Sequence, residues 1–208
     1  MADFILTVKL DADGTSRDNG GRSVRIIGGR HSGRRLATLS GTRTRPTGDR
    51  VREALFNIWQ TRVKDAVFWD AYAGTGAIGL EAISRGASLA VFSETGREAL
   101  KTLRSNIALL GAGDQTEVWA KSVDELLDKW RYDARRFDLV FMDPPWKVGI
   151  SPVARESLWE VLVPGGMAVV ESRQDQEIPR LPGLRQIWSR RYGDTRLSAF
   201  SSLAEVGS

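Results

Sequence analysis

Apolar positions along the chain switch repeatedly between strand-like and helix-like periods. Phe4 to Leu10 alternate and then give way to DADGTSRDNGG, a polar and glycine-rich stretch expected to stay flexible or only loosely docked. Two short β-like runs follow, SVRIIGG and RLATLS, separated by RHSGR, and they predict a hairpin with arginines on both strands and in the turn. After Pro46, Val51, Leu55, Ile58, Trp59 and Val63 fall at helical spacing, with Thr47 placed to cap the start. From Ala66 the pattern becomes strand, glycine turn, helix, strand: AVFWDAY, GTGAIGLEAISRG, SLAVFSE, REALKTLRSNIALLGAG. It continues with the strand TEVWAK, a helix from Asp124 to Trp130, the strand FDLVFMD, a helix opened by Ser151 and Pro152, and GGMAVVES. Two last strands from Leu184 to Leu203, joined at Tyr192-Gly193-Asp194, are expected to close the sheet antiparallel at one edge. The prediction is an α/β fold with a mostly parallel sheet covered by helices on both faces. Its boundaries are a tail over 1–22, a hairpin extension over 23–46 and the main domain over 47–208.

A chain of 208 residues with 41% apolar and 27% charged positions fits one compact domain with a small appendage. No apolar run approaches a membrane span, and the start, with Asp3 and no basic flank, reads poorly as a signal peptide. A soluble cytoplasmic monomer is expected. The absence of cysteine removes thiolate zinc sites and cysteine nucleophiles, and a single histidine, His31, leaves little for a metal cage, so no metal is expected. Charge is uneven: from Arg22 to Arg52 there are nine arginines against one acid, Asp49, although the whole chain carries only +4. Such a segment suits a polyanion, and the guanidinium fork suits phosphate oxygens.

The turn Asp70-Ala71-Tyr72-Ala73-Gly74-Thr75-Gly76-Ala77-Ile78-Gly79 contains GxGxxG between a predicted strand and helix. A nicotinamide site uses such glycines against a pyrophosphate, with an acid about twenty residues on for the ribose. Glu94 stands at that spacing from Gly74. A methyl-donor site uses the same glycines and Glu94, and adds a carboxylate at the end of the first strand of the unit. Asp70 supplies it, and at that place it repels a pyrophosphate but suits the ammonium of S-adenosylmethionine. Asp70, Tyr72, Gly74, Gly76, Gly79 and Glu94 are therefore the candidate cofactor residues.

The strand FDLVFM runs straight into Asp143-Pro144-Pro145-Trp146. Two prolines stiffen the backbone that presents the preceding carboxylate. An exocyclic amine on a nucleobase is a poor nucleophile because its lone pair is delocalised into the ring. Asp143 and the carbonyl of Pro144 can accept both amine hydrogens, localise that lone pair and stabilise the growing positive charge, while Trp146 offers a face for the base. Without cysteine, methylation at a pyrimidine C5 is excluded, since it requires a thiolate. Adenine N6, cytosine N4 and guanine N2 remain open on these grounds.

Arg25-Ile26-Ile27-Gly28-Gly29-Arg30, Gly33-Arg34-Arg35-Leu36 and the segment Arg45 to Asn57, with Asp70 to Glu81 and Asp143 to Trp146, closely resemble the RsmD family of bacterial ribosomal RNA methyltransferases. The likeness covers most of the chain from Val24. It implies a seven-stranded Rossmann-like sheet of the class I S-adenosylmethionine-dependent methyltransferases, with the small N-terminal β-hairpin as an extension. It implies methyl transfer to the exocyclic N2 of a guanine in small-subunit (16S) ribosomal RNA, in an assembled or partly assembled subunit. By position, Asp143, Pro144, Pro145 and Trp146 would hold the base, and Gly74, Gly76 and Glu94 the cofactor. The segment from Arg45 to Arg52, with Thr47, would cover its methionine end, and Arg25, Arg30, Arg34, Arg35 and Arg45 would meet RNA. Three positions depart from the family pattern: Thr95-Gly96 follows Glu94 where a further polar or acidic residue is common. Lys121-Ser122 stands where an Asp or Asn often contacts adenine, which makes Ser122 the candidate there, and Trp146 replaces Phe or Tyr. The competing classes are another exocyclic-amine methyltransferase, a non-catalytic RNA-binding assembly protein and a nicotinamide oxidoreductase.

Overall fold

The structure is a computed structural model that describes residues 24–39 and 48–202. A two-stranded antiparallel ladder, β1 (Val24–Arg25) with β2 (Arg35–Leu36), precedes α1 (Asp49–Trp59). The main sheet then alternates with helices: β3 (Val67–Asp70), α2 (Ala77–Ser84), β4 (Leu89–Ser93), α3 (Arg97–Leu110), β5 (Thr116–Trp119), α4 (Val123–Tyr132), β6 (Phe137–Met142), α5 (Pro152–Ser157) and β7 (Leu162–Arg173). It ends with β8 (Leu184–Tyr192) and β9 (Thr195–Ser202), giving the seven-stranded order β5-β4-β3-β6-β7-β9-β8. β3 to β7 are mutually parallel and β9 runs against β7. The expected antiparallel closure is present in altered form: β9 enters between β7 and β8, so β8 is the edge strand and only β9 runs against the rest.

Helices cover both faces because each strand of the sheet centre is apolar on both sides. On one face Trp59 of α1 packs edge-on against Phe68 and Phe141, with ring centroids 5.4 and 6.5 Å away. On the other, Trp69 meets Trp130 of α4 at 5.0 Å and stacks on Phe137 at 5.4 Å. Burying aromatic side chains of this size supplies about 1.5–3 kcal/mol each, so the two layers dominate the core. α1 starts where the spacing predicts, but its N-cap is Gly48, with no side-chain cap; Thr47 lies outside the described residues.

The hairpin is shorter than SVRIIGG and RLATLS predict, and the reason is Glu81. This α2 carboxylate is fully buried and takes the amides of Ile27 at 2.7 Å and Gly28 at 2.8 Å, which therefore leave the strand ladder. Arg85 donates to the same carboxylate at 2.8 Å, and the Nε of Arg52 lies 3.8 Å from it. Arg52 is itself buried and donates to the Arg25 carbonyl at 2.5 Å and to Asp49 at 2.9 Å. It is thus a core residue within the arginine-rich segment, not part of a surface offered to a polyanion. Ser84 completes the dock, its hydroxyl donating to the Gly28 carbonyl at 2.5 Å and its own carbonyl accepting the Arg30 amide at 2.8 Å. Gly29 has φ +78°, and a Cβ there would lie 1.9 Å from the Ser84 oxygen, so only glycine fits. Further along, buried Asn106 of α3 holds both the amide and the carbonyl of Ala37, at 2.8 and 3.0 Å, and also reaches the Thr75 carbonyl at 2.9 Å.

Replacing Glu81 with alanine removes the buried carboxylate beside Arg52 and Arg85 and leaves two backbone amides without their acceptor at once. The expected loss is about 3–5 kcal/mol in urea unfolding, with faster proteolysis before α1. A loss below about 1 kcal/mol would show that the carboxylate does not anchor the extension.

Candidate active site

The chain reverses its direction of travel across the sheet between β3 and β6, and ligands of open α/β sheets enter at such a point, outside the carboxyl ends of the strands. Asp70 pairs with Phe141 across β3 and β6, and Met142 pairs with Val170 across β6 and β7. The register therefore brings Asp70, Asp143 and Glu171 to one rim, with Glu94 beyond the end of the neighbouring β4.

These carboxylates are satisfied to different degrees. Glu94 accepts the Gly74 amide at 2.8 Å on one oxygen and the amides of Thr95 at 2.8 Å and Gly96 at 2.6 Å on the other. It joins the glycine loop to the start of α3. Asp70 is 2% exposed and accepts the Gly79 amide at 2.9 Å, serving from a strand the first turn of a helix that has no side-chain cap of its own. Burial raises its pKa to about 7; the Gly79 hydrogen bond opposes the rise and Glu94 adds to it. Asp143 is held well above the usual carboxylate range, first by burial and then by Glu171 and Asp70. Among the described residues no group donates a hydrogen bond to the Asp143 carboxylate, nor to the carbonyl of Pro144.

The glycines divide the same way. Gly76, with φ +86°, would put a Cβ 2.3 Å from Leu103, and Gly79 would put one 2.2 Å from Phe92, so both allow the loop and α2 to sit close against the sheet and α3. Gly74, with φ +53°, would meet nothing within 4 Å. Its backbone borders open space beside Glu94, a cradle that suits the ribose and methionine portions of a nucleoside cofactor. Tyr72 is half-buried on the α4 side, its hydroxyl pushed up to about 12 by burial and by Asp124, which also accepts the Ser151 hydroxyl. The Ser122 hydroxyl serves the capping box of α4 with Glu125, accepting its amide at 3.3 Å.

After Asp143, the Pro145 carbonyl accepts the amides of Val148 at 2.8 Å and Gly149 at 2.9 Å, closing a tight turn behind the half-exposed Trp146. Pro144 is buried and Pro145 exposed. Of the arginines expected to meet RNA, Arg25, Arg30, Arg34 and Arg35 are exposed on the docked hairpin. Arg34 also donates to the Leu109 carbonyl at 3.0 Å, and Arg30 reaches Gln115. Arg45 lies outside the described residues. Glu171, only 4% exposed, was not visible as a site residue in the sequence, where it ends an apolar strand like any boundary acid.

Sheet order, glycine loop and rim carboxylates define a class I methyltransferase, whose cofactor is S-adenosylmethionine. The fold is shared with an RNA methyltransferase from Salinibacter ruber in complex with S-adenosyl-L-homocysteine, at TM-score 0.57 and 17% identity over 78% of this chain and 97% of that one. A hypothetical protein from Thermus thermophilus superposes with TM-score 0.72 at 32% identity, over 85% of this chain and 98% of its own. The family model described as conserved hypothetical protein 95 matches residues 24–201. Ribosomal RNA small subunit methyltransferase D of Escherichia coli (strain K12) is 35% identical over 168 residues, 79% of this chain and 82% of that protein. The Haemophilus influenzae protein of the same name is 35% identical over 158 residues, 74% of this chain and 81% of its own length. The chain belongs to this RsmD family of methyltransferases.

A carboxyl that titrates near neutrality at the cleft makes ligand affinity depend on pH. An ammonium placed beside Asp70 would favour its ionised form, and such a placement predicts that the affinity for S-adenosyl-L-homocysteine rises between pH 6 and 8, by at most about tenfold per unit below the pKa. In Asp70→Asn the calorimetric profile should flatten; an unchanged slope would remove Asp70 from the cofactor site.

Proposed function

We propose that this protein transfers a methyl group from S-adenosylmethionine to the exocyclic N2 of a guanine in small-subunit ribosomal RNA, acting as a monomer on assembled or partly assembled subunits in the cytoplasm. The observation that carries the reading is the contrast at the rim: Glu94 and Asp70 are engaged by backbone amides, whereas the Asp143 carboxylate and the Pro144 carbonyl, side by side after β6, have no donor among the described residues. Two adjacent acceptors without donors match the two hydrogens of an aromatic amine. The names of the relatives support ribosomal RNA of the small subunit as the substrate, and the resemblance over most of the chain from Val24 supports guanine N2 over other amines.

When bound, the cofactor supplies an electrophilic methyl on a sulfonium. The protein's own groups do the rest. Gly74 and Glu94 hold the ribose side, Asp70 and Tyr72 line the methionine side, and Gly76 and Gly79 let the loop lie low enough to leave that space. Asp143 and Pro144 accept the amine hydrogens and draw the nitrogen lone pair out of conjugation, and Asp143 stabilises the positive charge that grows there. The repulsion from Glu171 and Asp70 that raises the Asp143 pKa is relieved when a positively charged centre enters between them. Trp146 stacks on the base, and the exposed Arg25, Arg30, Arg34 and Arg35 engage RNA phosphates.

Small subunits from cells lacking this protein, treated with enzyme and S-adenosylmethionine, should yield N2-methylguanosine on nucleoside mass spectrometry. Asp143→Ala should reduce transfer by at least about a hundredfold while leaving S-adenosyl-L-homocysteine affinity within a few fold. N6-methyladenosine in place of N2-methylguanosine would refute the guanine assignment, and lost cofactor binding in Asp143→Ala would refute the role of that carboxylate.

A further inference from the structure

Trp146 is held from two directions by the loop that follows β7. The Gln176 side chain donates from Nε2 to the Trp146 carbonyl at 2.7 Å and accepts the Arg173 amide on Oε1 at 3.1 Å. Because one partner is a pure acceptor and the other a pure donor, the orientation of this amide is unambiguous. The Arg173 guanidinium lies over the indole, 5.7 Å from its centroid, and is itself steadied by Asp175 at 3.1 Å. The loop is in turn fastened to the sheet. Arg196 of β9, only 8% exposed, donates to the Gln176 carbonyl at 2.5 Å and also to the Gln174 carbonyl, while the Gln174 amide donates to the Asp194 carbonyl at 2.9 Å.

A buried guanidinium spent on two backbone carbonyls of a surface loop is a costly arrangement, since it desolvates a charge to fix a turn. It makes physical sense where the turn must stay still. Gln176 carries that rigidity to the residue after Asp143-Pro144-Pro145, which the prolines stiffen from the other side. We infer that Gln176, locked by Arg196, is a positioning residue that fixes Trp146, with Arg173 behind it, as the platform for the acceptor base. The inference rests on the proposed stacking role of Trp146. It adds a specificity element supplied by β7 and β9, far in sequence from the glycine loop and from the hairpin.

Gln176→Glu separates this role from simple loop integrity. The carboxylate still accepts the Arg173 amide, but it no longer donates and sets a negative charge against the Trp146 carbonyl. Methyl transfer to subunits should show a KM raised about three- to tenfold, the cost of one hydrogen bond, with S-adenosyl-L-homocysteine affinity and melting temperature close to wild type. Gln176→Ala should match it. In a Trp146→Ala background, Gln176→Glu should add nothing, because the two act as one unit. A wild-type KM in both Gln176 variants while Trp146→Ala is impaired, or independent multiplicative losses in the double variant, would overturn the positioning role. A wild-type Trp146→Ala would instead remove the stacking role on which it rests.

Discussion

The pairing of β3 with β6 is the constraint on which the rest of the site depends. Parallel strands in register end together, so a carboxylate at the end of β3 and another just past β6 share one rim, and Glu171 on β7 joins them. Burial and the nearby charges of Glu171 and Asp70 raise the Asp143 pKa, and burial with Glu94 raises that of Asp70, at a cost in stability. The structure offsets part of that cost with backbone amides, giving Gly79 to Asp70 and three amides to Glu94. It gives none, among the described residues, to Asp143. A fold that leaves such a group without a donor at its ligand-binding edge stores a demand that a positively polarised substrate can meet.

The carboxylate that anchors the fold is thus distinct from the one left without a donor among the described residues. Glu81, fully buried, accepts two backbone amides and the Arg85 guanidinium, with Arg52 paired at 3.8 Å, and acts as an anchor for the extension before α1. Asn106 ties the same extension to the loop carrying Gly74 through the Thr75 carbonyl. The basic hairpin is therefore part of the rigid body that holds the cofactor loop. Under the proposed RNA reading, the arginines on its surface would meet phosphates from a fixed position.

Most of the α/β pattern was legible because strand and helix periods are strong between Ala66 and Glu171, and because Asp143-Pro144-Pro145-Trp146 sits where a strand must end. The errors come from single long-range hydrogen bonds. Glu81 lies on α2 as an ordinary polar position, so nothing local shows that it will take the Ile27 and Gly28 amides and cut the hairpin short. Arg52 carries the same charge as its neighbours in the segment, and only packing reveals that it is buried. GxGxxG is visible, but which glycine borders open space and which merely allows close packing depends on Leu103 and Phe92. The Arg196–Gln176–Trp146 chain joins residues 20 and 30 positions apart through loop carbonyls, and no periodicity marks such contacts.

The most direct measurement is a crystal structure of this protein with S-adenosyl-L-homocysteine and an RNA fragment carrying the acceptor base. The account predicts the base amine within hydrogen-bond distance, about 2.7–3.2 Å, of both the Asp143 carboxylate and the Pro144 carbonyl, in line with the cofactor sulfur and with the ring on Trp146. A base held elsewhere, with Asp143 turned away from its amine, would contradict it.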